Sequence, residues 1–489
     1  MIVKTSCAFF VAVAIVVALA RPASAHVGSP NVFYEGDAGP YHLYVTVRVP
    51  QVVPGVAEIE VRANSDDVRK ISTSVAWMTG PGSKNFPVPD VAKQSASDPR
   101  FFTSSLWLME YGSVRVRIDV SGTRGPAQLL IPVASFGQST FPMPKALGAL
   151  LLALAIGLAF GAISIVGAAA RESRVAPGVE ISAQYRRRGW RAMAITAVLV
   201  GLLFWGAFAW WNADANAYAT LAKFYRLPKC AATLKGNRIT IRPTDQLWLE
   251  NENISKLLLD HGHLMHLFLV RTPGLDRIWH LHPERTAHGT FEENLPSIEA
   301  GHYQVFADVV GQYGFPWTLV GTIDMPNVAG PAISGDDSAG TATSITPSSD
   351  STISLLADGT EVVWERNAAP LKANVPMTLR FAVKDQSGAP ANDLEPYMGM
   401  AAHAEIIRDD LSVFAHIHPS GTAPMASMMM ASADTPGLSS MGDMKMPTEK
   451  IAPEISMPYG FPKPGLYRIF LQFKRAGRIE TASFDTQVQ

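Results

Sequence analysis

Apolar residues in this chain come either in unbroken runs or in alternation with polar ones, and the two patterns occupy different stretches. There are three unbroken runs. The first, from about Ala8 to Ala20, follows Lys4 and ends at Ala23-Ser24-Ala25. A basic start, a short apolar core and a small-residue end predict a secretory signal peptide over 1–25, cut after Ala25. The other two, "ALGALLLALAIGLAFGAISIVGAAA" and "AMAITAVLVGLLFWGAFAWW", predict transmembrane helices over 145–170 and 192–211. Each supplies the roughly 20 apolar residues that a helix needs to cross a bilayer. The short connection 171–191 holds Arg171, Arg174, Arg186, Arg187, Arg188 and Arg191. Such a loop is retained in the cytoplasm, so 26–144 and 212–489 are expected on the far side of an inner membrane, in the periplasm.

Alternation prevails elsewhere. "YHLYVTVRVP", "AEIEVRA", "SVRVRIDV" and "AQLLIPVAS" are rich in Val, Ile and Tyr, largely alternate in the first three, lack a helical period, and are separated by Gly, Pro, Asp and Asn. This predicts short strands and a β-sandwich over 26–144. The region after the second helix contains one pattern twice. "HGHLMHLFLVRTPGLDRIWHLHPE" and "MGMAAHAEIIRDDLSVFAHIHPSG" each make a hairpin ending in H-x-H-P, followed further on by a strand opening with Gly-x-Tyr. Repeat 1 is set at 212–329 and repeat 2 at 353–489. The Gly/Ser/Thr/Pro-rich stretch 330–352 is expected to be a flexible linker. The predicted fold is mainly β: multiple immunoglobulin/cupredoxin-like β-sandwich domains plus a two-helix transmembrane hairpin.

Composition narrows the choice of partners. With 41 Lys+Arg against 42 Asp+Glu the chain is near neutral, which argues against nucleic acid. The lipid bilayer is the partner that the apolar runs predict. Of the two cysteines Cys7 falls in the signal peptide, leaving Cys230 alone and no disulfide framework.

Strand geometry makes the repeat chemically informative, because residues i and i+2 share a face about 7 Å apart. His280 and His282 are such a pair, as are His416 and His418. A two-residue Asp409-Asp410 turn would set His403 opposite His416 and diagonal to His418. A three-residue Thr272-Pro273-Gly274 loop would set His266 opposite His280. Each repeat then offers three imidazoles on one face, enough to hold zinc, copper, iron or nickel with a fourth position open. His261 and His263 precede His266 where Met398 and Met400 precede His403; their odd spacing turns them away unless a bulge or turn intervenes. His288 and His302 are given no role.

The opening of the first sandwich, "HVGSPNVFYEGDAGPYHLYVTVRVPQVVPGVAEIEVRA", resembles the CopC/YtkA-like family of small periplasmic immunoglobulin-like domains associated with copper. The resemblance covers this domain alone. It implies a Cu(II) chelate at His26, the mature N-terminus after cleavage, with His42 and Asp37 completing the site. A second pointer to copper is a clump of thioethers. Met425, Met428, Met429, Met430, Met441, Met444 and Met446 are seven of the chain's 18 methionines, directly after the second H-x-H-P. Thioether favours Cu(I), whereas zinc, the second choice, gives no reason for methionine. No Ser-His-Asp order, H-E-x-x-H, haem-attachment motif or phosphate loop is present. The expectation is a membrane-anchored copper protein for capture, tolerance or delivery, with another copper protein or a membrane oxidase complex as partner. The alternatives are a metal-dependent envelope enzyme using the same histidines and a structural component of a membrane complex.

Overall fold

The computed structural model describes residues 30–139, 141–250, 252–433 and 451–489. His26, Met441, Met444 and Met446 lie outside these described residues. The chain divides into two compact units, one formed by 1–138 with 226–489 and the other by 139–225.

The smaller unit is a helical hairpin, α1 (Lys145–Glu172) and α2 (Ala183–Phe224). Both helices are long and apolar enough to cross a membrane. They pack closely where glycines remove the side chain: a Cβ at Gly167 would lie 2.3 Å from Met193 Cγ, and one at Gly189 would lie 3.0 Å from Gly167 O. The helices outrun the apolar segments. α2 begins nine residues before the expected start at 192, taking in Arg186, Arg187, Arg188 and Arg191, and continues to Phe224. An apolar run reports the part matched to lipid; helical hydrogen bonding propagates past it wherever no proline or cap intervenes.

In the larger unit the amino-terminal domain has β1 (Val32–Ala38), β2 (Tyr41–Arg48), β3 (Gly55–Ala63), β4 (Val68–Trp77), β5 (Asp90–Val91), β6 (Lys93–Gln94), β7 (Phe101–Leu108), β8 (Gly112–Gly122) and β9 (Gly125–Ser135). They form sheets β1-β2-β3-β7-β6 and β5-β4-β8-β9. Alternation does what it predicts here: Leu43, Val45, Val47, Ile59 and Val61 from one sheet meet Val116, Ile118, Ile131 and Val133 from the other in one core.

Repeat 1 has β10 (Cys230–Lys235), β11 (Arg238–Pro243), β12 (His266–Thr272), β13 (Arg277–Leu281), β14 (Glu284–Ala287), β15 (Thr290–Asn294), β16 (Gly301–Val310), β17 (Pro316–Met325) and β18 (Ser338–Thr341). Repeat 2 has β19 (Ile353–Leu355), β20 (Glu361–Trp364), β21 (Met377–Lys384), β22 (Leu394–Glu395), β23 (His403–Arg408), β24 (Phe414–Ile417), β25 (Glu454–Tyr459), β26 (Gly465–Arg475) and β27 (Arg478–Val488). A helix, α3 (Met425–Ser432), follows β24. The repeat is real at the level of topology: β17-β16-β12-β13 in one copy corresponds to β27-β26-β23-β24 in the other. The Gly-x-Tyr strands are β16 and β26, as predicted.

These two sheets pack on each other, which explains their composition. β12 reads HLFLV, buried at every position, because each of its faces meets a different partner. Phe268 and Val270 join Ile278 and Phe306 of repeat 1 with Ile407, Phe414 and Phe470 of repeat 2 in a shared core. Phe306 and Phe414 stack with ring centroids 4.1 Å apart. Buried Arg468 crosses the same interface, donating to Leu275 O and Thr343 O while held by Asp485. The stretch 330–352 is not a free linker, since it contains β18, which adds to the sheet edge at β13. A polar composition lets a segment stay unpaired without requiring it; β18 needs only small residues to lie along an open strand edge.

The amino-terminal sandwich is joined to repeat 2. Thr422 N donates to Phe33 O (3.0 Å) and Glu35 N to Ser420 O (3.1 Å). Gly421 between them has φ +129°, and a Cβ there would lie 1.9 Å from Phe33 O, so only glycine fits.

Candidate metal centre

Period-2 alternation that sends Phe268 and Val270 into the interface sends His266 there too, and the same holds for His403, Glu405 and Ile407 on β23. Ile278 and His280 on β13, and Phe414 and His416 on β24, complete the pattern. The layer between the sheets is therefore apolar at one end and imidazole-rich at the other.

Register decides which histidines meet. β12 pairs with β13 as Phe268↔His280, and β23 with β24 as Glu405↔His416. Both hairpins are shifted by two residues from the expected register, so His266 falls beside His282 and His403 beside His418. The cause is loop length. Arg408 N bonds Val413 O around a four-residue loop that places Leu411 at φ 62°. In the first hairpin Leu275, at φ 48°, donates to Arg271 O, and Arg271 grips Asp276 across the base. A shift of two preserves the face, so the histidines still converge, in a different grouping.

Two groups emerge, each with ligand atoms within 4.8 Å of one another: His266 with His280 and His282, and His261 with His403 and His418. The first is the trio expected in repeat 1. The second corrects the expected trio of repeat 2: His261, from repeat 1, takes the place of His416. His261 arrives through a tight turn in which Asp260 and His263 bridge and His261 and Gly262 have φ 51° and 91°. Repeat 2 makes the same turn at Tyr397–Met400 with Met398 at φ 47°. His261 Nδ1 donates to the carbonyl of this equivalent residue, Met398 (2.8 Å). Only the turn could bring it in, and a His-Gly-His step was the one available signal.

His416 sits between the groups, its ring centroid 5.4 Å from His266 and 5.5 Å from His403. His263 stacks on His282 at 3.9 Å. Eight of the chain's 12 histidines thus form one array across the repeat interface. The array has pseudo-twofold order: His280 Nδ1 lies 2.9 Å from Gln472 of repeat 2, and His416 Nδ1 lies 3.5 Å from Asp308 of repeat 1. Asp308 and Gln472 hold matching places, opposite His266 and His403 respectively.

The two groups differ in how they are satisfied. In the first, His266 Nε2 donates to Asp260 O (3.1 Å), His280 Nε2 donates to His266 Nδ1 (3.0 Å), and His282 Nδ1 donates to Asp337 (2.9 Å). In the second, both ring nitrogens of His403 and of His418, with His261 Nε2, are buried and have no hydrogen-bond partner among the described residues. Glu405 is buried with both oxygens unpartnered among the described residues, facing His280 Nδ1 at 3.9 Å. Leaving such an atom without a partner costs about 1–3 kcal/mol each, a cost that a bound ion would offset.

Burial, reinforced by neighbouring imidazoles, holds His280, His282, His403, His416 and His418 well below the usual histidine range, and lowers His266. Neutral rings present free lone pairs, the form that binds metal. Burial also raises the carboxyls beside the array: Asp308 is pushed up to about 6, Asp337 to about 7, and Glu405 well above its ordinary value. Each trio could hold a metal ion.

The methionines divide. Met425, Met428, Met429 and Met430 lie on α3. Met428 enters the core of the amino-terminal sandwich and Met430 packs with Met78 and Leu130. Ala426 N donates to Asp260 and Ser427 to Gly314 O, tying the helix start to the turn that carries His261. On the first sandwich, His42 lies across from Asp37 in the β1–β2 hairpin, its Nδ1 2.8 Å from Asp37 and its Nε2 3.4 Å from Glu35. His288 and His302 bond Leu249 O and Asp324 and belong to neither trio.

Residues 354–489, essentially repeat 2, match a family described as "Domain of unknown function (DUF8832)". No curated protein matches the chain. Among solved structures it is similar to dimeric latent PorU from Porphyromonas gingivalis, at 10% identity over 94% of this chain and 34% of that one, with a TM-score of 0.15. An ICAM-5 D1-D4 ectodomain fragment matches at 7% identity over 94% of this chain and 77% of that one, with a TM-score of 0.15. A Salmonella alpha-2-macroglobulin mutant matches at 10% identity over 96% and 24%, with a TM-score of 0.20.

Proposed function

We propose that this is a membrane-anchored, extracytoplasmic metal-binding protein whose cargo is copper, serving in copper capture, tolerance or delivery. The observation that carries the reading is the set of buried nitrogens without a partner among the described residues, His261 Nε2 and both ring nitrogens of His403 and His418. Three neutral imidazoles drawn from two domains make a borderline ligand set that suits copper and, next, zinc. The methionine-rich run to Met446 supports copper, with Met441, Met444 and Met446 as thioether donors for Cu(I). The CopC/YtkA resemblance of 26–144 adds a position for Cu(II) at His42, Asp37 and Glu35, with His26 as the expected further ligand. The arginine-rich turn 171–191 faces the cytoplasm in this reading, and both large regions face the periplasm. A copper acceptor or a membrane oxidase complex is the partner.

Elemental analysis of the purified full chain tests this. The wild type is expected to carry copper, and His403→Ala/His418→Ala to lose most of it while keeping its fold by circular dichroism. Unchanged copper in that variant, or zinc alone in the wild type, sinks the copper assignment.

A further inference from the structure

The metal centre is closed on most sides by the two sheets, so an ion must enter somewhere. Exposure falls in steps along one line of polar groups. Asp336 is 42% exposed and accepts from His263 Nε2 at 3.2 Å; His263 itself is 29% exposed. Asp337 is 25% exposed and accepts from His282 Nδ1 at 2.9 Å, while the His282 side chain is only 4% exposed. His282 Nε2 is buried with no hydrogen-bond partner among the described residues, and His282 belongs to the first trio. His263 lies flat on His282, 3.9 Å between ring centroids. From His282 the next rings are His266 at 5.0 Å and His280 at 4.6 Å. Beyond them His416 leads to His403 and His418, at 5.5 Å and 4.7 Å. Asp336 is also tied to the inner group through Tyr397, whose hydroxyl donates to the Asp336 carbonyl and whose ring stands edge-on to His403.

We propose that Asp336, Asp337 and His263 form the entry port of the centre, collecting a divalent cation from solvent and passing it by way of His282 to the inner His261–His403–His418 group. The proposal rests on the metal-binding reading above and deepens it. The Asp336 carboxylate at the surface, joined by Asp337 as the pH passes its raised pKa of about 7, increases the local cation concentration and the capture rate. Trios of unequal saturation then drive the ion inward. At the outer trio it must displace the hydrogen bonds among His266, His280 and Asp260, whereas His261 Nε2 and the His403 nitrogens have none among the described residues to give up. The outer trio is thus a station, the inner one the resting place.

Stopped-flow mixing of the metal-stripped full chain in detergent with Cu(II) ions, followed by copper absorbance, separates entry from retention. Asp336→Asn/Asp337→Asn is expected to slow loading about tenfold at low ionic strength, with the difference shrinking as salt screens the port. Final copper content should equal that of the wild type. His263→Phe, which keeps the stacked ring and removes its nitrogens, should slow loading without the salt dependence. Wild-type loading rates in both variants overturn the port. Loss of final copper in the Asn variant also overturns it, since the aspartates would then be ligands. A wild type that takes up no copper overturns the metal-binding reading and the port with it.

Discussion

Each buried imidazole in the array is a trade between folding and ligation. A ring nitrogen without water or partner favours any occupant that will accept its lone pair, and burial keeps the proton from being that occupant. The consequence for pH has a definite sign. Six histidines, His266, His280, His282, His403, His416 and His418, have folded pKa values below the ordinary 6.5. In the window below 6.5 the unfolded chain binds protons that the folded chain refuses, so their contribution to stability is complete above 6.5 and is lost as pH falls. Five raised carboxyls, Asp308, Asp337, Glu405, Glu293 and Glu480, act the other way, since the folded chain holds protons there that the unfolded chain has released. The six histidines outweigh them. Each net proton is worth about 1.4 kcal/mol per pH unit. Urea unfolding of the metal-stripped chain should therefore show a lower midpoint at pH 5.5 than at pH 7.5; a higher one would mean the imidazoles are not held neutral.

At the scale of elements, the hairpins were legible because their patterns are local. The H-x-H-P strand ends, the Gly-x-Tyr strands and the helical hairpin all follow from spacing along a few residues. Register was not legible, because it depends on loops whose conformation is set by non-glycine residues in left-handed backbone, Leu275 and Leu411, which no composition rule flags. His261 was hidden for the same reason, carried in by a left-handed turn. The sheet-on-sheet layer carries a prediction of its own. Phe414, buried against Phe268 and Phe306, anchors that layer. Phe414→Ala should cost about 3–5 kcal/mol in chemical denaturation and should weaken metal binding, because it loosens the packing that aligns β24 with β12. Loss of stability with copper affinity intact would show that the imidazole end is held independently of the apolar end.

For the whole molecule, duplication is what makes the site. One repeat alone places three histidines on a face; two repeats packed face to face enclose eight and exclude water from most of them. The helical hairpin is a separate compact unit. Replacing 139–225 with a long Gly/Ser linker should therefore yield a protein that runs as a single species in gel filtration without detergent and binds the same copper per chain as the intact protein. Aggregation with loss of copper would show that the head depends on its anchor.

The amino-acid sequence by itself determined the β-sandwich class, the two membrane-length helices, the repeat, and five of the six histidines in the two trios, because alternation and runs of apolar residues act through nearest neighbours. Only the tertiary structure decided that the trios adjoin, that His261 belongs to one and His416 lies between them, and that the first methionine clump packs as a helix. Those facts depend on which sheet face meets which, a choice made by the shape of a whole interface and not written at any one position.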